Sequence, residues 1–174
     1  GTEDEWIELT NRSAAAVDLS GWKFTDGVDF TFPPGTSLNP GAALVVAKNA
    51  TRTRTNHPSL DPAKVLGDYG GSLSNSGERL QLSRPVVDSL VPGQTFMATV
   101  DEAVYQNASD YSRWADGGGS SLELSHPEAD PFLPSSWVDS DETAKAPWTT
   151  VEVTGKLELN NPGVPATAIN QVQM

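Results

Sequence analysis

The sequence predicts an all-β fold, a sandwich or a barrel, and three observations carry that expectation. No stretch sustains apolar spacing at helical period. Short alternating or continuous apolar runs recur instead, each bounded by Gly, Pro, Asn, Asp or Ser. Hydrophobic content of 37%, with five Trp, five Phe and three Tyr, is enough for a core in a chain of 174 residues.

The elements follow in chain order. "EWIEL" sets Ile7 and Leu9 on one face of a strand, with Trp6 and Glu8 opposite. "GWKF" places Trp22 with Phe24, and "FTF" places Phe30 with Phe32 about Thr31. Between them Thr25-Asp26-Gly27 supplies the Asp-Gly step of a tight hairpin. In "FPPGTSLNPG", Pro33 and Pro34 fix φ while Gly35 and Gly41 permit positive φ. "ALVVAK" is a continuous apolar run, as a strand buried on both faces requires. Residues 49–70 lose periodicity and read as a surface loop with one short helical turn after Asp61-Pro62.

"SNSGERLQL" is a turn feeding a strand with Leu80 and Leu82 inward. "RPVVDSLVPGQTFMATVDEAVY" reads as two or three short strands interrupted at Pro92-Gly93. "ADGGGSSLEL" is an Asp-Gly-rich turn followed by Leu122 and Leu124 about Glu123. Val151 and Val153 define a further strand in "WTTVEVTGKLEL", the Pro/Gly linker "NNPGVPATA" follows, and "INQVQM" closes the chain in extended form. The expected core is Ile7, Leu9, Trp22, Phe24, Phe30, Phe32, Leu44, Val46, Leu80, Leu82, Leu122 and Leu124.

Lys plus Arg number 11 against 23 Asp plus Glu, a formal net charge of -12. Such a surface repels phosphate backbones, so nucleic acid is excluded as a partner. No apolar run approaches the ~20 residues that span a bilayer, which argues against membrane insertion, and no signal peptide is visible. The chain has no Cys, so a disulfide framework, a thiolate metal site and a Cys nucleophile are all impossible. A bacterial extracellular protein or a reduced compartment fits that composition. Three glycosylation sequons occur, Asn11-Arg-Ser13, Asn49-Ala-Thr51 and Asn107-Ala-Ser109, and in a bacterial protein they arise by chance.

"DEWIELTN", "DLSGWKFTDG", "FTFPPGTSLNPGAALVVAKN", "GSLSNSGERLQL", "VDEAVY", "DGGGSSLELSHP" and "SSWVDSD" occur in that order and cover most of residues 3–141. Together they resemble the lamin tail domain, with wording closest to its bacterial secreted and surface-protein branch. The resemblance implies an immunoglobulin-like β-sandwich of the lamin tail type over residues 1–160, with residues 161–174 as linker and C-terminal strand extension. Two departures stand out. The opening strand of the family, of the type "INEIMYNP", does not precede the acidic lead, and "INQVQM" resembles it at the other end. The connection from Ser83 to Thr99 is longer than in the family.

No "GxSxG", Walker loop or "HExxH" occurs. His57 in "NHPSLD" and His126 in "ELSHPEAD" both precede Pro and read as turn residues more readily than as catalytic bases. The expectation is therefore no enzyme and no obligatory cofactor. Asp130, Asp139, Asp141 and Glu142 are candidate Ca²⁺ ligands, because the ion takes six to eight oxygens. Against that reading, the stretch does not fit an EF-hand, and Asp side chains that cap turns in a solvated loop would give the same pattern. Trp6 and Trp148, on the faces opposite the apolar sides of their strands, could stack on a sugar or could close a second aromatic layer.

A sandwich without its first strand presents an unpaired edge, which is a template for strand addition. The segment Ala168, Ile169, Asn170, Gln171, Val172 and Gln173 is the candidate assembly strand for the slot beside "EWIEL". It fills its own sheet or a neighbour's, the position after an extended linker favouring the neighbour. The favoured reading is an extracellular or cell-surface structural module whose partners are copies of itself. The alternative is a carbohydrate- or protein-binding accessory module of a secreted multidomain protein.

Overall fold

The protein is described from a computed structural model that covers residues 3–106, 115, 120–126 and 128–140. Its strands are β1 (Trp6–Thr10), β2 (Val17–Asp18), β3 (Lys23–Asp26), β4 (Phe30–Thr31), β5 (Ser37–Leu38) and β6 (Ala43–Ala47). The helix α1 (Ala50–Asn56) and a 3₁₀ turn (Pro62–Lys64) follow, then β7 (Val65–Gly67), β8 (Gly77–Val87), β9 (Thr95–Gln106) and β10 (Leu122–Leu124). A second 3₁₀ turn (Pro134–Ser136) leads into β11 (Trp137–Asp139).

Two sheets face one another, one in the order β1-β6-β7 and one in the order β4-β3-β8-β9. The pairs β2–β5 and β10–β11 form separate antiparallel ribbons. Between the sheets lie Phe24, Phe30, Phe32, Leu38, Leu44, Val46 and Leu82, with Ile7 and Leu9 of β1 packed against them. Phe32 sits edge-on to Phe30 at 5.1 Å and tilted to Phe24 at 6.1 Å between ring centroids.

β6 explains why its sequence is apolar without alternation. Leu44 and Val46 enter the main core, while Val45 and Ala47 turn to the other face and meet Ala50 of α1 and Val65 of β7. The strand is central, with β1 antiparallel on one side and β7 parallel on the other. It is buried on both faces, as the run predicts.

Several expectations need correction. Residues 49–70 hold more than a loop and one helical turn. The Asn49 side chain caps α1 by accepting from the Arg52 amide at 3.0 Å, and Val65 is fully buried in β7. The expected turn after Asp61 is present, capped by the Asp61 carboxylate on the Ala63 amide. Residues 77–106 form one long hairpin in place of several short strands, and Pro92-Gly93 falls in its tip. Trp22, Ile7, Leu9 and Leu80 are half-buried against the core instead of inside it. Leu122 and Leu124 are half-buried in the β10–β11 ribbon. The strand expected at 151–153 lies outside the described residues.

Asn11 is the buried polar residue that ties β1 to the β2–β5 ribbon. Its Nδ2 donates to the Leu38 carbonyl at 2.8 Å and the Ala15 carbonyl at 2.9 Å, and its Oδ1 accepts from the Ser13 amide at 2.9 Å. That occupancy and burial leave no room for a glycan on the first sequon. Asn11→Ala is expected to destabilise the protein by about 1–3 kcal/mol, since buried carbonyls lose their donors. Urea unfolding measures it, and an unchanged midpoint would mean that solvent reaches those carbonyls.

Candidate assembly surface

The outermost strand of the first sheet has one neighbour among the described residues, β6. The Lys48 amide donates to the Glu5 carbonyl at 2.8 Å and the Asn11 amide to the Ala42 carbonyl at 3.0 Å. With the register Ile7 opposite Val46, the odd-numbered residues therefore face β6. Trp6, Glu8 and Thr10 turn their amides and carbonyls to the other edge. Six main-chain groups, a donor and an acceptor on each of these three residues, stand in a row that can take an added strand.

The edge is held at its entrance by the acidic lead. Asp4 receives Arg52 of α1 through Nε at 2.5 Å and Nη2 at 2.8 Å, and Asn56 donates to it at 3.0 Å. The Arg52 hydrogen bonds hold the Asp4 carboxyl below its usual range. Glu5 accepts from the Tyr69 hydroxyl at 3.1 Å and the Leu73 amide at 2.9 Å, anchoring the loop after β7. Lys48 donates to the Gly71 carbonyl and stands over the Tyr69 ring at 5.5 Å from its centroid. These contacts order the strand within the chain itself, and a pre-ordered edge lowers the ordering cost of any strand addition.

Two phenols near this anchor are held in their protonated form. Burial, then the charge of Glu5, pushes the Tyr69 phenol well above its ordinary value. Burial, then Glu78, does the same to Tyr105, whose hydroxyl donates to the Ser74 carbonyl at 3.0 Å. Both phenols keep their protons and serve as donors.

The residues singled out from the sequence are placed as follows. His57 is exposed at the C-terminal cap of α1, and His126 is exposed in the bend after β10. Asp130 accepts from the Phe132 amide at 3.0 Å, and Asp139 from the Ala115 amide at 2.8 Å. Asp141 and Glu142 lie outside the described residues, and among those described no group of three or more His, Asp or Glu is placed to hold a metal ion. The assembly-strand residues 168–173 also lie outside them. Trp6 is 37% exposed, whereas the Trp137 indole donates to the Pro131 carbonyl at 3.0 Å; Trp148 is outside the described residues. No described helix is long and apolar enough to cross a membrane.

The sequence reading missed a second exposed surface. Past Ser83, where β3 stops pairing, the β8–β9 hairpin continues as a two-stranded ribbon through Arg84 opposite Ala98 to Val87 opposite Thr95. Val87 is 71% exposed, Leu90 at the tip 88%, and Phe96 50%. The signal was the apolar content of "FMATV" inside a stretch longer than the family pattern.

A family model described as Lamin Tail Domain matches residues 1–125. No curated protein and no solved structure gives a match.

Proposed function

The chain belongs to the lamin tail domain family, an immunoglobulin-like β-sandwich, and from that premise we propose that it is a non-catalytic structural module assembling with copies of itself by strand addition. The observation that carries this reading is the edge of β1, where Trp6, Glu8 and Thr10 present backbone groups with no strand partner among the described residues. An edge this regular takes an extended segment, and specificity comes from side chains that alternate into the sandwich. Residues 168–173 carry apolar Ile169 and Val172 in a segment rich in Asn and Gln, reached through "NNPGVPATA". In our reading this segment enters the edge of a neighbouring molecule, a heterologous contact that propagates along a fibre or surface layer unless the rotation closes a ring.

The chemistry of the described residues supports a structural role. The two histidines stand singly on turns, and the Tyr69 and Tyr105 phenols hold their protons. An acidic chain of charge -12 with no thiol to oxidise is compatible with the extracellular or cell-surface setting of this reading.

Deletion of residues 166–174 tests the reading. A shortened chain that stays folded but loses its higher assemblies is the expected result. A chain that unfolds with no change in assembly assigns the segment to its own edge. If neither stability nor mass changes, strand addition by this segment is wrong.

A further inference from the structure

We propose that the outer edge of β9 between Thr95 and Val100 is a second, two-fold interface, taken by the same edge of another copy of the chain. The Asp88 amide donates to the Gln94 carbonyl at 2.8 Å, and with Val87 opposite Thr95 this puts Phe96 and Ala98 in hydrogen-bonded pairs with β8. Thr95, Met97 and Thr99 therefore turn their amides and carbonyls away from β8. No strand among the described residues meets this stretch, which belongs to the last strand of its sheet.

The two edges of the ribbon are guarded differently. On the β8 side stand Arg84 and Pro85, a charge and a residue without an amide hydrogen, the usual protections of an exposed edge. On the β9 side "TFMATV" carries neither charge nor proline. Apolar side chains occupy both faces, Val86 with Phe96 on one and Pro85 with Met97 on the other. Beyond the sheet each strand of the ribbon has one hydrogen-bonded neighbour, so a further strand on the β9 side would add to its stability.

The partner is chosen by symmetry and charge. About Met97 the outward residues are self-complementary. Antiparallel pairing sets Met97 against its copy and Thr95 against Thr99 twice over, with about six main-chain hydrogen bonds from three such pairs. Thr–Thr pairs across strands are favourable. On the alternate positions Phe96 meets Ala98 of the partner, large against small. A net charge of -12 opposes association of copies in general, but residues 83–100 hold one Arg and one Asp, which sum to zero. At the ribbon two copies approach with less local like-charge repulsion than the net charge of the chain would impose. Such a contact is isologous and closes at the dimer. It is independent of the C-terminal segment.

Sedimentation velocity of the full chain tests it, with Met97→Pro and Met97→Lys as variants. Proline removes one outward amide and spares the ladder to β8, whereas lysine sets two like charges across the axis. The expected result is a wild-type dimer as the smallest species at ~100 μM, with a dissociation constant raised at least about tenfold in both variants. Circular dichroism is expected to show both variants folded. Hydrogen exchange at the Met97 amide is expected to slow as concentration rises. A wild-type monomer, or association unchanged in both variants, overturns the interface. Protection at Met97 that is independent of concentration also overturns it, and assigns the edge to the chain's own segment.

Discussion

Phe32→Ala is expected to cost about 3–5 kcal/mol, the range for removing a fully buried aromatic ring from a core. Phe32 is 1% exposed and lies between Phe24 and Phe30, so the ring contacts are lost on two sides. The backbone limits collapse into the space. The Phe32 amide donates to the Trp22 carbonyl at 2.8 Å, and its carbonyl accepts from the Gly21 amide at 3.0 Å. Chemical unfolding at constant m-value reads the loss. Trp22→Ala gives the contrast, a smaller loss despite the larger side chain, because the indole is only half-buried. Equal losses would mean that the core is centred on Trp22 and not on Phe32.

Gly27→Val is the second large effect. Gly27 has φ 87°, which for an L-residue costs about 1–2 kcal/mol. A Cβ there would stand 2.4 Å from Leu80 Cδ2 and 2.9 Å from the Arg79 carbonyl, adding about 1–3 kcal/mol of overpacking. Gly35→Val separates the two contributions, since Gly35 has φ 82° with no atom within 4 Å of the added carbon. The difference between the two midpoints reports the contact with β8. If the two variants unfold together, the hairpin does not press on Leu80 as described.

Legibility followed the range of the interaction. "EWIEL" and "ALVVAK" declared their buried faces because alternation and its absence are local properties. The lamin tail family and its sandwich were likewise readable, from pieces spread over most of the chain. α1 was not readable by period, since Thr51, Arg52, Thr53 and Arg54 make no apolar stripe. Its local sign was the cap, Asn49, and its tertiary ties run to Asp4, distant in sequence. β7 has three residues and owes its existence to β6 beside it. Trp22 was assigned to the core by residue type, yet the space is filled by Phe24, Phe30 and Phe32. Turn chemistry at Pro33 to Gly41 said nothing of sheet order, and sheet order alone decides which edge of β1 meets another strand.

The irregularity between Leu82 and Ser83 governs how this protein can change length. Leu82 faces Asp101 while Ser83 faces Thr99, so Val100 has no opposite number. That extra residue reverses the parity of β9 at the boundary between sandwich and ribbon. On the sandwich side, odd positions of β9 accompany the inward side chains of β8; on the ribbon side, even positions do. Lineages can add or remove residues beyond the boundary in matched pairs, one on each strand, while every inward position of the sandwich keeps its place. Loss of Val100 alone would merge the two portions into one unbroken ladder, removing the local kink while Phe96 stays opposite Val86 and Met97 opposite Pro85. The ribbon is thus the part of the domain whose reach can vary between descendants, with the parity step as the point from which its length is counted.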